Sequence, residues 1–232
     1  MKPALLFGRL DLAGASYKLL NFEVTLERQR AAVCEVSTEE PVEVDKTGVI
    51  SLGRWGDLFP AAAVKVTECR QVGDRRFEVE VVGLARLILD QPTALGLRKV
   101  GAEMALAKLA SEVGLAFASL APPVLATPRD MVFAGSFRGA LDQIASCFGF
   151  KEERWHLDVQ NKKLMLLPGF APGVPVVLDP RMILEATSDQ IEAVPLPRLR
   201  PFGQIIHLGE PRTVDKVVFD SNWQSMTMEL VQ

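Results

Sequence analysis

The residues able to do chemistry are few and scattered. Two histidines are present, His156 and His207, each inside a segment whose alternation reads as a strand. Neither has carboxylate or cysteine neighbours at ligand spacing, so both read as half-exposed strand residues and not as a metal pair. The three cysteines, Cys34, Cys69 and Cys147, are odd in number, lack any Cys-x-x-Cys spacing and lie among apolar residues. They read as buried, reduced thiols of a protein made in a cytoplasm. Ser136, in Gly135-Ser136-Phe137, comes nearest to a nucleophile elbow, but Ala134 stands where the elbow needs its first glycine. A helix cap explains that serine better. A triad assembled in space stays open, because sequence order does not reveal one.

Gly53-Arg54-Trp55-Gly56 lacks the Lys-Ser/Thr of a phosphate loop and opens no helix. Carboxylates at Glu39-Glu40, Glu78/Glu80 and Glu152-Glu153 fall on polar strand faces or turns, and spacing pairs none of them as acid and base. The expectation is a non-enzymatic chain with no cofactor and no metal. Trp55, near a loop, and Trp223, beside a turn, fit either a stacking platform for a ligand or a contact in a core or subunit interface. The interface reading is preferred, with Arg198, Arg200 and Phe202 of a proline-rich arm as its companions.

Composition narrows the classes further. A formal net charge of −3 over 232 residues gives no global attraction to nucleic acid or an anionic membrane. The basic spots Arg75-Arg76, Arg98-Lys99, Lys162-Lys163 and Arg198/Arg200 are two charges each and read as solvated surface. The apolar start, Met1 to Phe7, is interrupted at Gly8, Arg9 and Asp11, too soon for a signal peptide. No run approaches the roughly 18 apolar residues of a membrane span. Neither a cleaved signal nor a membrane segment is expected.

The elements that must position these residues are mainly strands. Val33 to Ser37, Val42-Glu43-Val44, Val64 to Thr67 and Phe77 to Val81 alternate apolar with polar residues. Glycines 48, 53, 56, 73 and 83 are expected between or at the ends of strands, giving a small barrel or sandwich. The period then changes. Val100 to Val113 predicts a helix ending at Gly114, and Phe137 to Phe148 a second, capped by Ser136 and stopped by Gly149. A loop with Pro122-Pro123 and Pro128 separates them.

A hairpin follows from Trp155 to Leu167. Strands are then expected at Val174 to Leu178, Gln204 to Leu208, Thr213 to Asp220 and Trp223 to Val231. Val194 to Pro201 carries alternate prolines and is excluded from a central strand, so it reads as an extended arm or an edge. The predicted class is α+β, mostly β. Residues 1–98 form a β-barrel-like domain, 99–170 a helix-helix-hairpin unit, and 171–232 a C-terminal β region that completes or forms a second β domain.

The middle of the chain carries a resemblance. Ala105 to Gly114-Leu115 is followed by Gly135-Ser136-Phe137-Arg138-Gly139-Ala140-Leu141-Asp142-Gln143-Ile144-Ala145 and Phe148-Gly149-Phe150. Trp155-His156-Leu157-Asp158-Val159 and Lys163 to Pro168 come next. This order resembles the baseplate hub proteins of contractile-tailed bacteriophages, the late control protein D type included, and related tail-like machines. The resemblance covers residues 100–168 by motif and the flanking β regions by order only.

It implies two tube-type β domains per chain and a homotrimer, whose six similar units adapt a six-fold tail tube to a three-fold central spike. Tube and spike proteins are the implied partners, with wedge and tape-measure proteins beside them. The implied location is the virion baseplate, after synthesis in the host cytoplasm. Glu35, Glu43, Glu78 and Glu80 face either solvent or a lumen through which viral DNA passes without specific binding. A carbohydrate-binding or host-recognition module, and a cell-wall hydrolase, are the competing readings.

Overall fold

The structure is a computed structural model describing residues 5–27, 32–54, 57–120, 126–150, 155–159, 161–166, 176–199, 201 and 203–231. The chain divides into two units. One comprises Met1–Leu84 and Pro172–Gln232, the other Ala85–Ala171.

The first unit opens with six strands: β1 (Phe7–Leu12), β2 (Ala15–Glu27), β3 (Val33–Thr38), β4 (Thr47–Arg54), β5 (Asp57–Gly73) and β6 (Arg76–Gly83). Alternation does what a pleated backbone requires: β6 buries Val79 and Val81 and exposes Glu78 and Glu80. Neighbours run β1-β4-β5-β6-β3-β2, and β2 pairs back to β1, so the six strands close into a ring. Leu10, Ile50, Leu52, Val64 and Val66 fill its interior, fully buried. The β1–β2 turn uses Ala13 and Gly14 at φ of 40° and 96°, the left-handed pair that a tight hairpin needs.

Two details depart from the sequence expectation. Gly48 and Gly53 stand one residue in from the two ends of β4, and at Gly48 the reason is not a chain reversal. A Cβ on Gly48 would sit 2.0 Å from the Asp11 carbonyl oxygen, so the close approach of β1 requires glycine there. Val42-Glu43-Val44 is a loop: Val42 is buried, and its N–H donates to Cys69 Sγ at 3.4 Å instead of joining a ladder.

After α1 (Leu84–Leu89) the chain builds the second unit from β7 (Pro92–Val100), α2 (Ala102–Glu112), β8 (Ala116–Ser119) and β9 (Arg129–Ser136). Then come α3 (Phe137–Phe148), β10 (Trp155–Asp158) and β11 (Lys163–Leu166). The unit begins at residue 85 and not 99, because β7 pairs with β9 and not with the strands before it. Most of β9 falls in the segment read as loop.

Both helices end as their glycines predict. Gly114 and Gly149 take φ of 72° and 68°. The next amides, on Leu115 and Phe150, bond back to the Ala110 and Ala145 carbonyls. Leu115 and Phe150 join Leu106, Leu109, Phe137, Leu141, Ile144 and Trp155 in this unit's core.

The chain returns to the first unit with β12 (Val176–Val177), β13 (Ile183–Ala186), β14 (Gln190–Ala193) and β15 (Gln204–His207). It finishes with β16 (Glu210–Asp220) and β17 (Ser225–Leu230). The N- and C-terminal regions are not separate sheets. β2 pairs with β16 from Glu23↔Asp220 to Glu27↔Lys216, making one 12-stranded sheet.

The reason is strand length. β2 spends Ala15–Leu19 on β1, and the rest of that edge takes β16. Likewise β16 spends Glu210–Thr213 on β15, then Lys216–Asp220 on β2. β3 lies on the other edge of β2, and β17 on the other edge of β16. The trios β1-β2-β3 and β15-β16-β17 therefore repeat one arrangement about the β2–β16 joint. β15–β16 even turns like its counterpart, through Leu208 and Gly209 at φ of 52° and 84°.

Candidate assembly surface

The β16–β17 turn holds Trp223 out from the sheet. Trp223 is 79% exposed, whereas Trp155 is fully buried. The turn beneath it is fastened at several points. Asp220 Oδ1 accepts the Asn222 and Trp223 amides at 2.6 and 3.3 Å. Ser221 exchanges two bonds with β2: its Oγ accepts the Phe22 amide at 2.7 Å, and its own amide donates to the Phe22 carbonyl at 3.0 Å. Gln224 donates to the Ser221 carbonyl and accepts the Leu6 amide. A large aromatic on so constrained a base loses little entropy on contact.

A second feature of the same unit is an apolar cleft of about 340 Å³. Its walls are Phe59, Val176, Pro195, Leu196, Pro197 and Leu199, with Asp57 and Arg198 at the polar end. Within the arm forming one wall, residues 196–199 make a turn where an extended arm or an edge was expected. The Leu199 amide bonds the Leu196 carbonyl at 2.8 Å, and Leu199 is buried in the core. The Arg198 guanidinium lies 4.2 Å from the centre of the Phe59 ring, a cation–π stack.

The third feature is a row of carboxylates. Register pairs Asp220 with Glu23, Glu23 with Glu35, Glu35 with Glu80, and Glu80 with Glu68. Side chains directly opposed in register share a face. Five acids therefore cross five adjacent strands, and the row ends at the base of the Trp223 turn. A groove of about 640 Å³ runs over this face, with Arg76 and Asn222 at its sides. Glu78 is paired to Arg70 at 2.7 Å. Lys216, bonded to Glu229 at 2.9 Å, is held above the usual lysine range chiefly by that bond.

Of the residues singled out from sequence, Arg198 and Trp223 are described and sit on these surfaces; Trp55, Arg200 and Phe202 lie outside the described residues. Glu35, Glu78 and Glu80 share the acidic face, whereas Glu43 stands in a loop beside Lys46. His156 belongs to the second unit and His207 to the first. Burial lowers the His156 pKa below the usual imidazole value, with Asp158 opposing the shift. Ser136 caps α3, its Oγ accepting the Gly139 amide at 3.2 Å. Cys34 is buried, which pushes its thiol up to about 12. Cys69 and Cys147 are half-buried and all three are free thiols.

Among the described residues no group of three or more His, Cys, Asp or Glu is placed to hold a metal ion. No described helix is long and apolar enough to cross a membrane. Phe59, Glu23, Glu68 and Asp220 escaped the sequence reading, since only register brings them together.

No family profile matches the sequence, and no curated protein matches it. Solved structures do. A tail protein from Neisseria meningitidis superposes with a TM-score of 0.69 at 12% identity, over 97% of this chain and 95% of that one. A prophage tail protein from Shewanella oneidensis gives 0.70 at 9% identity, over 97% of each chain. A type VI secretion component from E. coli, itself described as similar to T4 bacteriophage tail proteins, gives 0.65 at 10% identity. That match covers 96% of this chain and 76% of the other. The chain has the fold of these tail proteins.

Proposed function

We propose that this protein is a structural subunit of a phage tail or tail-like contractile machine: a baseplate hub that forms a homotrimeric ring between a six-fold tail tube and a three-fold central spike. The observation that carries the proposal is the doubling inside the first unit, where β1-β2-β3 and β15-β16-β17 repeat about the β2–β16 joint. Three copies of a doubled unit present six similar surfaces to a six-fold partner and three whole chains to a three-fold one. The shared fold with tail proteins supports the same reading.

In this account the two halves act as tube-type domains, the C-terminal one with fewer paired strands. The carboxylate row faces a lumen, where it repels phosphate and lets viral DNA pass without specific binding. The chain works by contact and not by catalysis, needs no cofactor, and meets tube, spike, wedge and tape-measure proteins in the virion baseplate after synthesis in the host cytoplasm.

Light scattering on the purified chain tests this, alone and with tail-tube and spike proteins added. A mass of three chains is expected. A monomer that ignores those partners argues against the hub. The exposed Trp223 favours a second reading, a carbohydrate-recognition module of a tail. Glycan binding by such a monomer, lost in Trp223→Ala, would establish it.

A further inference from the structure

We infer that the Trp223 turn of one copy docks into the Phe59–Arg198 cleft of the next copy, and that this contact closes the ring. The inference rests on the hub reading and adds the contact that builds it. Trp223 is a rigid, exposed aromatic with its turn fixed to β2 by Ser221. The cleft lies in the same unit, is lined by Phe59, Val176, Leu196 and Pro197, and at about 340 Å³ has room for one large side chain.

The polar groups match as well. Arg198 is exposed, and its planar guanidinium has two faces. One lies on Phe59, and in the proposed contact the other takes the incoming indole, giving a Phe–Arg–Trp stack. Both amides that Asp220 caps fall on Oδ1, so Oδ2 is left to meet the neighbour's Arg198. Asp57 at the polar end of the cleft is an acceptor for the indole N–H. The acid row ending at Asp220 thus brings negative charge to a cleft whose exposed cation is Arg198.

Trp223 and the cleft are different patches of one surface, so the contact is heterologous. Such contacts close into rings when the rotation per step permits. One tryptophan buries only about 150–250 Å², so it serves as the anchor of a wider interface and not the whole of it.

The test uses two variants of the full chain, Trp223→Ala and Arg198→Glu, both at exposed positions, with thermal melts to verify folding. Each alone is expected to assemble at least about 30-fold more weakly than wild type. Mixed, they are expected to form a one-to-one heterodimer and no ring, because only one intact turn and one intact cleft can meet. Light scattering reads both results. A Trp223→Ala protein that still forms trimers with wild-type affinity overturns the inference and leaves the hub reading standing. Variants that lose assembly, beside a wild type that forms rings of another order, keep the contact and remove the three-fold reading. A wild type that stays monomeric at the highest attainable concentration overturns the inference.

Discussion

Removing one charge from the middle of the carboxylate row is expected to stabilise the first unit. Glu35 faces Glu23 on one side and Glu80 on the other. No described cation pairs with it, whereas Glu78 on the same face is bonded to Arg70. Two unit charges about 5.5 Å apart repel by about 0.8 kcal/mol in water, and cross-strand like pairs are destabilising. Glu35→Gln relieves two such contacts and keeps the shape of the side chain.

The gain is about 1 kcal/mol at about 10 mM ionic strength, where the screening length is about 30 Å. At about 1 M, where that length is about 3 Å, only a few tenths remain. Urea melts followed by the β-sheet signal in circular dichroism, at both salt levels, read the difference. Glu78→Gln is the control: it breaks an exposed ion pair, so it is neutral or slightly destabilising. A Glu35→Gln protein that is less stable than wild type, or whose gain does not depend on salt, refutes the reasoning. So does an equal gain in Glu78→Gln.

Three further outcomes follow from the same geometry. Ser221→Ala strips the buried Phe22 amide of its acceptor and is expected to cost about 1–3 kcal/mol, read from urea midpoints; a shift below about 0.3 kcal/mol would contradict the bond. Cys34, with its thiol pushed up to about 12 by burial, is expected to resist alkylation at neutral pH in the folded chain and to react only on unfolding. Asp179, its carboxyl lowered to about 2 by the Arg181 side-chain and backbone bonds, stabilises the fold above the ordinary carboxylate pKa and loses that contribution as pH falls through about 2. Asp179→Asn should therefore lower the melting temperature at pH 6, with the difference from wild type closing as pH falls through about 2; a pH-independent difference would count against the pair.

Local physics was legible in the sequence and long-range register was not. Ser136 and Gly149 bounded α3 correctly because a cap and a left-handed stop depend on neighbouring residues alone. The strand Phe77 to Val81 showed itself by alternation for the same reason. A turn at Ser221-Asn222 was visible between two alternating runs, but Trp223 read as the start of the next strand, whereas the turn runs on through Trp223 and Gln224 and the strand begins at Ser225. By contrast, β13 and β14 are four residues each, too short for a periodic signal.

Gly48 looked like a turn residue because glycine's backbone freedom and its lack of a Cβ are not separable without the facing strand. The acid row was visible as separate glutamates on separate strands, but their alignment depends on bulges such as the one between Leu19 and Phe22. The joint between β2 and β16 links residues nearly two hundred positions apart, and nothing local to either strand announces it. The same is true of Phe59 beneath Arg198.

The most direct test of the central claim is to image the purified protein, alone or bound to its tail-tube partner, and to average particles end-on. A ring with an open centre, three-fold symmetry and six lobes of similar size, two from each chain, is expected. Rings with one lobe per chain, or particles with no ring in either condition, would contradict it.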